Sequence, residues 1–254
     1  MDKQVIVVTS GKGGVGKTTL SAQLGISLAD KGKKVIIIDA DTGLQNIDMV
    51  LGVEQHVFSN LLDVMDSGGM VQEAILSVEK HKNLYILPTS QIRVKSDLEG
   101  ISLKSLSEKL LKFFDFVIVD CPAGIDFGFR SSVEAASLCI IVTTQVVTAI
   151  RDAARVKELL KDINKRNTVL VVNRVREKSA RIGALQDPND IAKLLNLPLF
   201  GTVPEDDEII YSTNCGTALD DGATSKKYFV GMADRLVNTE EGQLVAGDAL
   251  YKQV

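Results

Sequence analysis

Tryptophan is absent from the 254 residues, and aromatic side chains make up only 5% of them. A platform for stacking single-stranded bases would have to be built from very little. Cysteine is also scarce: Cys121, Cys139 and Cys215 contain no CxxC pair and supply neither a disulfide framework nor a zinc cluster. A reducing cytoplasm is the compartment this usage points to. Long hydrophobic runs are missing as well. Met1-Asp2-Lys3-Gln4 leads straight into Val5 to Val8, a stretch far too short for a signal peptide or a membrane-spanning helix. There is no excess of positive charge: 29 Lys and Arg face 33 Asp and Glu, for a net charge of −4. That balance argues against a protein that grips nucleic acid by neutralising phosphates. Only five prolines occur, with no repeat, low-complexity tract or linker long enough to separate a pair of domains.

What is present is an apolar share of 45%, enough for a full core. Short apolar runs rich in β-branched residues recur at Val5 to Val8, Val35 to Ile38, Phe116 to Val119, Cys139 to Thr143, Val169 to Val172 and Leu199 to Val203. Runs without polar alternation fit strands covered on both faces by helices. Helical candidates alternate with them at Thr18 to Asp30, Leu103 to Phe113, Ile150 to Ile163, Asp190 to Leu195 and Ser225 to Val237. In the first, Leu20, Leu24 and Leu28 form a core-facing stripe. The alternation predicts an α/β fold, a doubly wound, mostly parallel sheet with helices on both faces. One domain over residues 1–237 is expected, followed by a tail over 238–254 in which the pattern is lost.

Directly after the first strand comes Gly11-Lys12-Gly13-Gly14-Val15-Gly16-Lys17-Thr18, which satisfies GxxxxGK[ST] and opens a helix. The strand, loop and helix context turns the match into a phosphate-binding P-loop. Glycines let the backbone wrap a phosphate with its N–H groups inward, and the helix N-terminus adds a favourable dipole. This segment, extended to Thr19, is the expected nucleotide cradle. Lys17 would bridge the β- and γ-phosphates of ATP, and the Thr18 hydroxyl would ligate Mg²⁺.

Two further carboxylate sites complete the pattern. The second strand ends in Ile38-Asp39-Ala40-Asp41, which delivers both aspartates to the edge where ligands bind in open α/β sheets. Either could sit near Mg²⁺ or orient an attacking water. Phe116-Val117-Ile118-Val119-Asp120 is a Walker B strand whose Asp120 would hold the metal directly or through water. The following Cys121-Pro122-Ala123-Gly124 can move when a γ-phosphate arrives. Cys121 as an iron–sulfur ligand is the weaker alternative, because buried cysteines mostly act as small hydrophobes.

Lys12 is superfluous for holding the chain's own phosphates. With it the loop reads KGGVGKT and resembles the deviant Walker A loop of the ParA/MinD family of ATPases. Asp41, Gly43, Leu44 and Asn46 resemble that family's first switch, and Asp120 to Ile125 its second. Asn83 to Gln91, Ile150-Arg151-Asp152, Val171 to Arg176 and Val203 to Asp207 are similar to segments of its septum-site-determining branch. The resemblance covers roughly residues 3 to 237. It implies an ATPase that closes into an ATP-sandwich homodimer, with Lys12 reaching the partner's phosphates. It makes Asp41 the water-positioning residue and Asp39 a metal-linked carboxylate. It places Asn173, Arg174, Pro204, Glu205 and Asp206 around adenine, and Asn46, Gly124 and Asp152 on switch or partner surfaces. A MinC-like inhibitor, a MinE-like activator and a role in placing the division site follow by the same resemblance.

The C-terminus departs from that pattern. Family members of this branch end in a basic amphipathic helix that meets the membrane. Here residues 238–254 carry Lys252 against Glu240, Glu241 and Asp248, and such a tail is repelled by anionic lipid. Peripheral association with the inner face of the cell membrane therefore lacks its usual anchor. A ParA- or FlhG-like ATPase that positions DNA, flagella or other cargo is the alternative reading. Its ParA form is disfavoured by Asp39-Ala40-Asp41-Thr42-Gly43, which departs from the usual DxDPQ switch. A P-loop ligase such as dethiobiotin synthetase would need a substrate pocket that the sequence does not display.

Overall fold

The computed structural model describes residues 3–40, 46–53, 74–88, 103–125, 127–176 and 185–238. Among these, eight strands form one sheet: β1 (Gln4–Thr9), β2 (Val35–Asp39), β3 (Leu76–Ser77), β4 (Leu84–Leu87), β5 (Phe116–Asp120), β6 (Leu138–Thr144), β7 (Thr168–Val175) and β8 (Leu199–Pro204). Their order is β3-β4-β2-β5-β1-β6-β7-β8. Every pairing is parallel except that of β3 with β4 at one edge. The helices are α1 (Lys17–Asp30), α2 (Ile47–Leu51), α3 (Leu103–Leu110), α4 (Phe127–Glu134), α5 (Val147–Asp162), α6 (Pro188–Leu195), α7 (Asp207–Asn214) and α8 (Lys226–Asn238).

Alternation along the central strands divides the core into two layers. Ile6 and Val8 of β1, Val35 and Ile37 of β2 and Ile118 of β5 face a cluster built with α1, α2 and α8. Val5, Val7, Ile36, Ile38, Val117 and Val119 face the other, built with α3, α4, α5 and α6. Both faces of these strands are covered, which is why they read as unbroken apolar runs. Burial of each such side chain contributes roughly 1.5–3 kcal/mol.

The expected strands and helices are all present, with shifted ends. Helix α3 closes at Leu110 rather than Phe113, because residues 111–113 form a turn whose Phe113 ring is exposed. Helix α5 starts three residues before Ile150, directly after Val146, which is extended. Helix α1 differs from a helix with one core-facing stripe: eleven of its residues are buried, including Ser21, Gln23 and Ser27. Helices α2 and α8 pack against α1, and α8 also against β8; Lys31 pairs with Asp234 at 2.6 Å where α1 and α8 meet. No described helix is long and apolar enough to cross a membrane. The tail expected from residue 238 onward lies outside the described residues but for Asn238, which ends α8.

Candidate nucleotide site

Parallel pairing brings the C-terminal ends of β1, β2 and β5 to one edge of the sheet. Val8 lies beside Asp120, and Asp39 lies beside Asp120 on the other side. The chain leaving β1 cannot continue as a strand, because Gly14 and Gly16 adopt φ of 75° and 97°. These are left-handed values that glycine tolerates without a Cβ penalty. Gly16 also needs its empty side: a Cβ there would lie 2.2 Å from Asn173 Nδ2. Asn173 donates to the Val15 carbonyl at 2.8 Å and accepts from the Arg174 N–H at 2.9 Å. The loop is thus braced from behind by the end of β7.

Within this frame Lys17 is buried, with 8% of its surface exposed, and its Nζ donates to the Ser10 hydroxyl at 3.0 Å. Ser10 in turn donates to the Lys12 carbonyl at 2.7 Å. The Thr18 hydroxyl donates to Asp120 Oδ2 at 2.6 Å, and the Ser21 hydroxyl to Asp120 Oδ1 at 3.1 Å. Asp39 and Asp120 are 1% and 3% exposed. The oxygens of Thr18 and Asp120 line the cleft at the glycine loop, and the Asp39 carboxylate is buried on the neighbouring strand beside Asp120. That donor set fits Mg²⁺, and the inward-turned loop fits the phosphates of a nucleotide.

The loop opens onto a cleft of about 650 Å³. Gly13, Gly14, Gly16, Lys17, Thr18, Thr19, Asp120 and Arg174 line it, together with Asn46, Met49, Gly52, Cys215 and Gly216. Not every residue expected at the base lies on this lining. Pro204 ends β8 opposite Val175, the Glu205 carboxylate binds the Arg176 guanidinium, and Asp206 caps α7 by accepting from the Glu208 N–H at 2.9 Å. Asp206 also accepts from the Ser225 hydroxyl. Those two carboxylates are held by protein partners that no motif or spacing would have paired with them.

Lys12 extends from the loop with an exposed side chain, and its Nζ donates to the Thr148 hydroxyl of α5 at 3.2 Å. Its neighbour Gly11 lies against the same helix, so close that a Cβ would fall 2.4 Å from the Asp152 carbonyl oxygen. The Asp152 carboxylate stands 3.9 Å from Arg155. Gly124 holds a φ of 100° beyond β5, a left-handed conformation that glycine adopts without a Cβ penalty. Asp41, Gly43 and Leu44 lie outside the described residues.

Cys121 is fully buried, and burial pushes its thiol up to about 12 against weaker opposing bonds from Thr9 and Ser132. Its burial among apolar neighbours fits the part of a small hydrophobe. Among the described residues no group of three His, Cys, Asp or Glu could hold a metal. Ser10, Ser21 and Thr148 are contributors that motif reading passes over. Only Ser21 left a trace, as a polar residue next to the leucine stripe of a helix.

Fold and site together define a P-loop nucleotide-binding protein of the doubly wound α/β class. A family model described as an AAA domain matches residues 3–172. The chain is 45% identical over 216 residues to the septum site-determining protein MinD of Synechocystis, covering 85% of this chain and 81% of that one. It is 39% identical over 236 residues to MinD of Thermotoga maritima, covering 91% and 87%. The structure superposes on MinD in a MinC:MinD complex from Aquifex aeolicus with a TM-score of 0.84 and 36% identity over 93% of this chain and 96% of that one. MinD from Pyrococcus horikoshii, solved with Mg-ADP, gives 0.82 and 27% identity over 92% and 95%. The chain belongs to the MinD family of septum site-determining proteins, within the ParA/MinD ATPases.

Proposed function

We propose that this chain hydrolyses ATP as a switch in division-site placement, and that it does so as a face-to-face dimer around two nucleotides. The observation that carries the reading is the second loop lysine. Lys17 is buried inside the loop on Ser10, whereas Lys12, among the described residues, makes an exposed bond to Thr148 that can be given up at little cost. A cation so placed is suited to reach a second subunit's phosphates.

In this mechanism the loop N–H groups and Lys17 hold the β- and γ-phosphates. Thr18 and Asp120 hold the metal, with Asp39 behind them. Bound magnesium supplies charge neutralisation on the phosphate oxygens. Asp41 orients the attacking water, and the partner's Lys12 stabilises charge on the transferred phosphoryl group. Arg174 lines the cleft on the side of the base with Asn173 beside it, and Pro204, Glu205 and Asp206 approach the base through their backbone, since the Glu205 and Asp206 carboxylates are taken by protein partners. Asn46, Gly124 and Asp152 lie on surfaces that change with the nucleotide. An inhibitor like the MinC of the Aquifex complex and an activator of the MinE kind would read those surfaces. Hydrolysis is slow alone and faster with the activator.

Lys12→Ala separates the roles of the two lysines. It should leave ADP affinity within about twofold, since a solvent-exposed bond contributes little. ATP-dependent dimerisation and stimulated hydrolysis should fall to background, as measured by light scattering and phosphate release. Retention of both by the variant would refute the trans role.

A further inference from the structure

We propose that Ser21 is a positioning residue for magnesium, setting the orientation of the Asp120 carboxylate. The inference rests on the metal role assigned to Asp120 above and adds a residue that no phosphate-loop motif contains.

Three observations carry it. Ser21 lies on the second turn of α1 and is 0% exposed, so no solvent can take over its hydrogen bond. Its hydroxyl reaches Asp120 Oδ1 at 3.1 Å across 99 residues of sequence, while Thr18 donates to Oδ2 at 2.6 Å. Each carboxylate oxygen therefore has its own hydroxyl from one face of one helix, which fixes rotation about the Cβ–Cγ bond. The bond is also not the one a helical serine makes by default. Ser27 on the same helix donates back to the Gln23 carbonyl at 2.8 Å, and Ser132 in α4 donates to the Gly128 carbonyl at 2.7 Å. Both follow the local i−4 habit of helical hydroxyls. Ser21 bonds instead to a carboxylate on a strand.

The two hydroxyls then have different tasks. Thr18 stands where its oxygen can turn from Asp120 to the metal. Ser21 has no such second use, and keeps Oδ1 occupied so that Oδ2 stays aimed at the Thr18 side. Without it the carboxylate loses a charge-assisted bond in a dry setting and gains a rotation. Groups of this kind, one bond removed from a metal ligand, commonly alter metal affinity by about 10–100-fold.

The test titrates MgCl2 into the full-length chain with a fluorescent ADP analogue and reads bound nucleotide rather than turnover. Ser21→Ala should leave nucleotide affinity in EDTA unchanged and raise the magnesium needed for half-maximal enhancement about tenfold. Ser21→Cys preserves the size of the side chain but donates weakly. It should shift the same way, and it stands in for the alanine variant should that one fail to fold. An unchanged magnesium requirement in the variants overturns the proposal. So does equal weakening with and without magnesium, which would mark a packing role. Asp120→Asn tests the foundation separately: if its magnesium response matches that of the parent chain, the metal role of Asp120 falls, and that of Ser21 with it.

Discussion

Cys121 and Cys139 lie within the sheet core, and burial pushes the thiol of each up to about 12 from an ordinary value of 9.0. Cys215 is exposed on the rim of the nucleotide cleft. Iodoacetamide should therefore label Cys215 alone in the folded chain and the other two only after unfolding. Mg-ADP should slow the labelling of Cys215, which lines the cleft proposed for the nucleotide. The same shifts fix a pH dependence. The folded thiols hold their protons more tightly than the unfolded ones, so their contribution is complete below pH 9. It is lost as pH rises from 9 towards 12. Urea denaturation midpoints should fall across that interval, and Cys139→Ala should flatten some of the decline. At this scale the sequence was legible where chemistry is carried by rare residue types. Lys17 and Thr18 were found from the spacing of the loop and Asp120 from its place at the end of an apolar strand, and the three line one cleft. Glu205 and Asp206 were placed at the base by resemblance, and the structure places their carboxylates on Arg176 and on the α7 N-terminus. Nothing in a sequence distinguishes a capping aspartate from a ligand-binding one when both sit after a strand.

Among the elements, the long central strands were the most legible because burial on both faces leaves an unbroken apolar run. The short ones were not. Helix α2 has five residues and β3 has two, lengths at which neither periodicity can declare itself. Yet α2 forms one wall of the cleft. It meets the end of α7 through two glycines in left-handed conformations, Gly52 and Gly216, with φ of 66° and 58°. A Cβ on Gly52 would stand 2.4 Å from the Gly216 carbonyl oxygen, and one on Gly216 would stand 2.5 Å from Gly52 Cα. Backbone meets backbone here, so no side chain can rotate out of the way. Gly52→Ala should cost about 1–3 kcal/mol in urea melts. Because both substitutions push the same two elements apart, the double variant with Gly216→Ala should lose less than the sum of the singles. Full additivity would show that the two elements relax independently.

For the whole molecule, the net charge of −4 and the acidic residues beyond 238 set the expected behaviour towards large anionic partners. The full chain should stay in the supernatant with anionic liposomes in ATP as in ADP, and should show no tight, salt-sensitive binding to DNA. Pelleting that requires ATP would show that the tail anchors the dimer despite its charge. Salt-sensitive DNA binding would move the chain towards the ParA mode of action.

The order of the strands has one more consequence, in time rather than in space. Thr18 and Asp120 are 102 residues apart in sequence, and β5 must insert between β1 and β2 before the hydroxyl finds its carboxylate. The phosphate loop emerges early in synthesis and stays without its acidic counterpart until more than a hundred further residues have been made. Metal-dependent nucleotide binding can begin only when β5 has entered between β1 and β2, so the first magnesium-dependent nucleotide binding by a nascent chain reports that the middle of the sheet has formed.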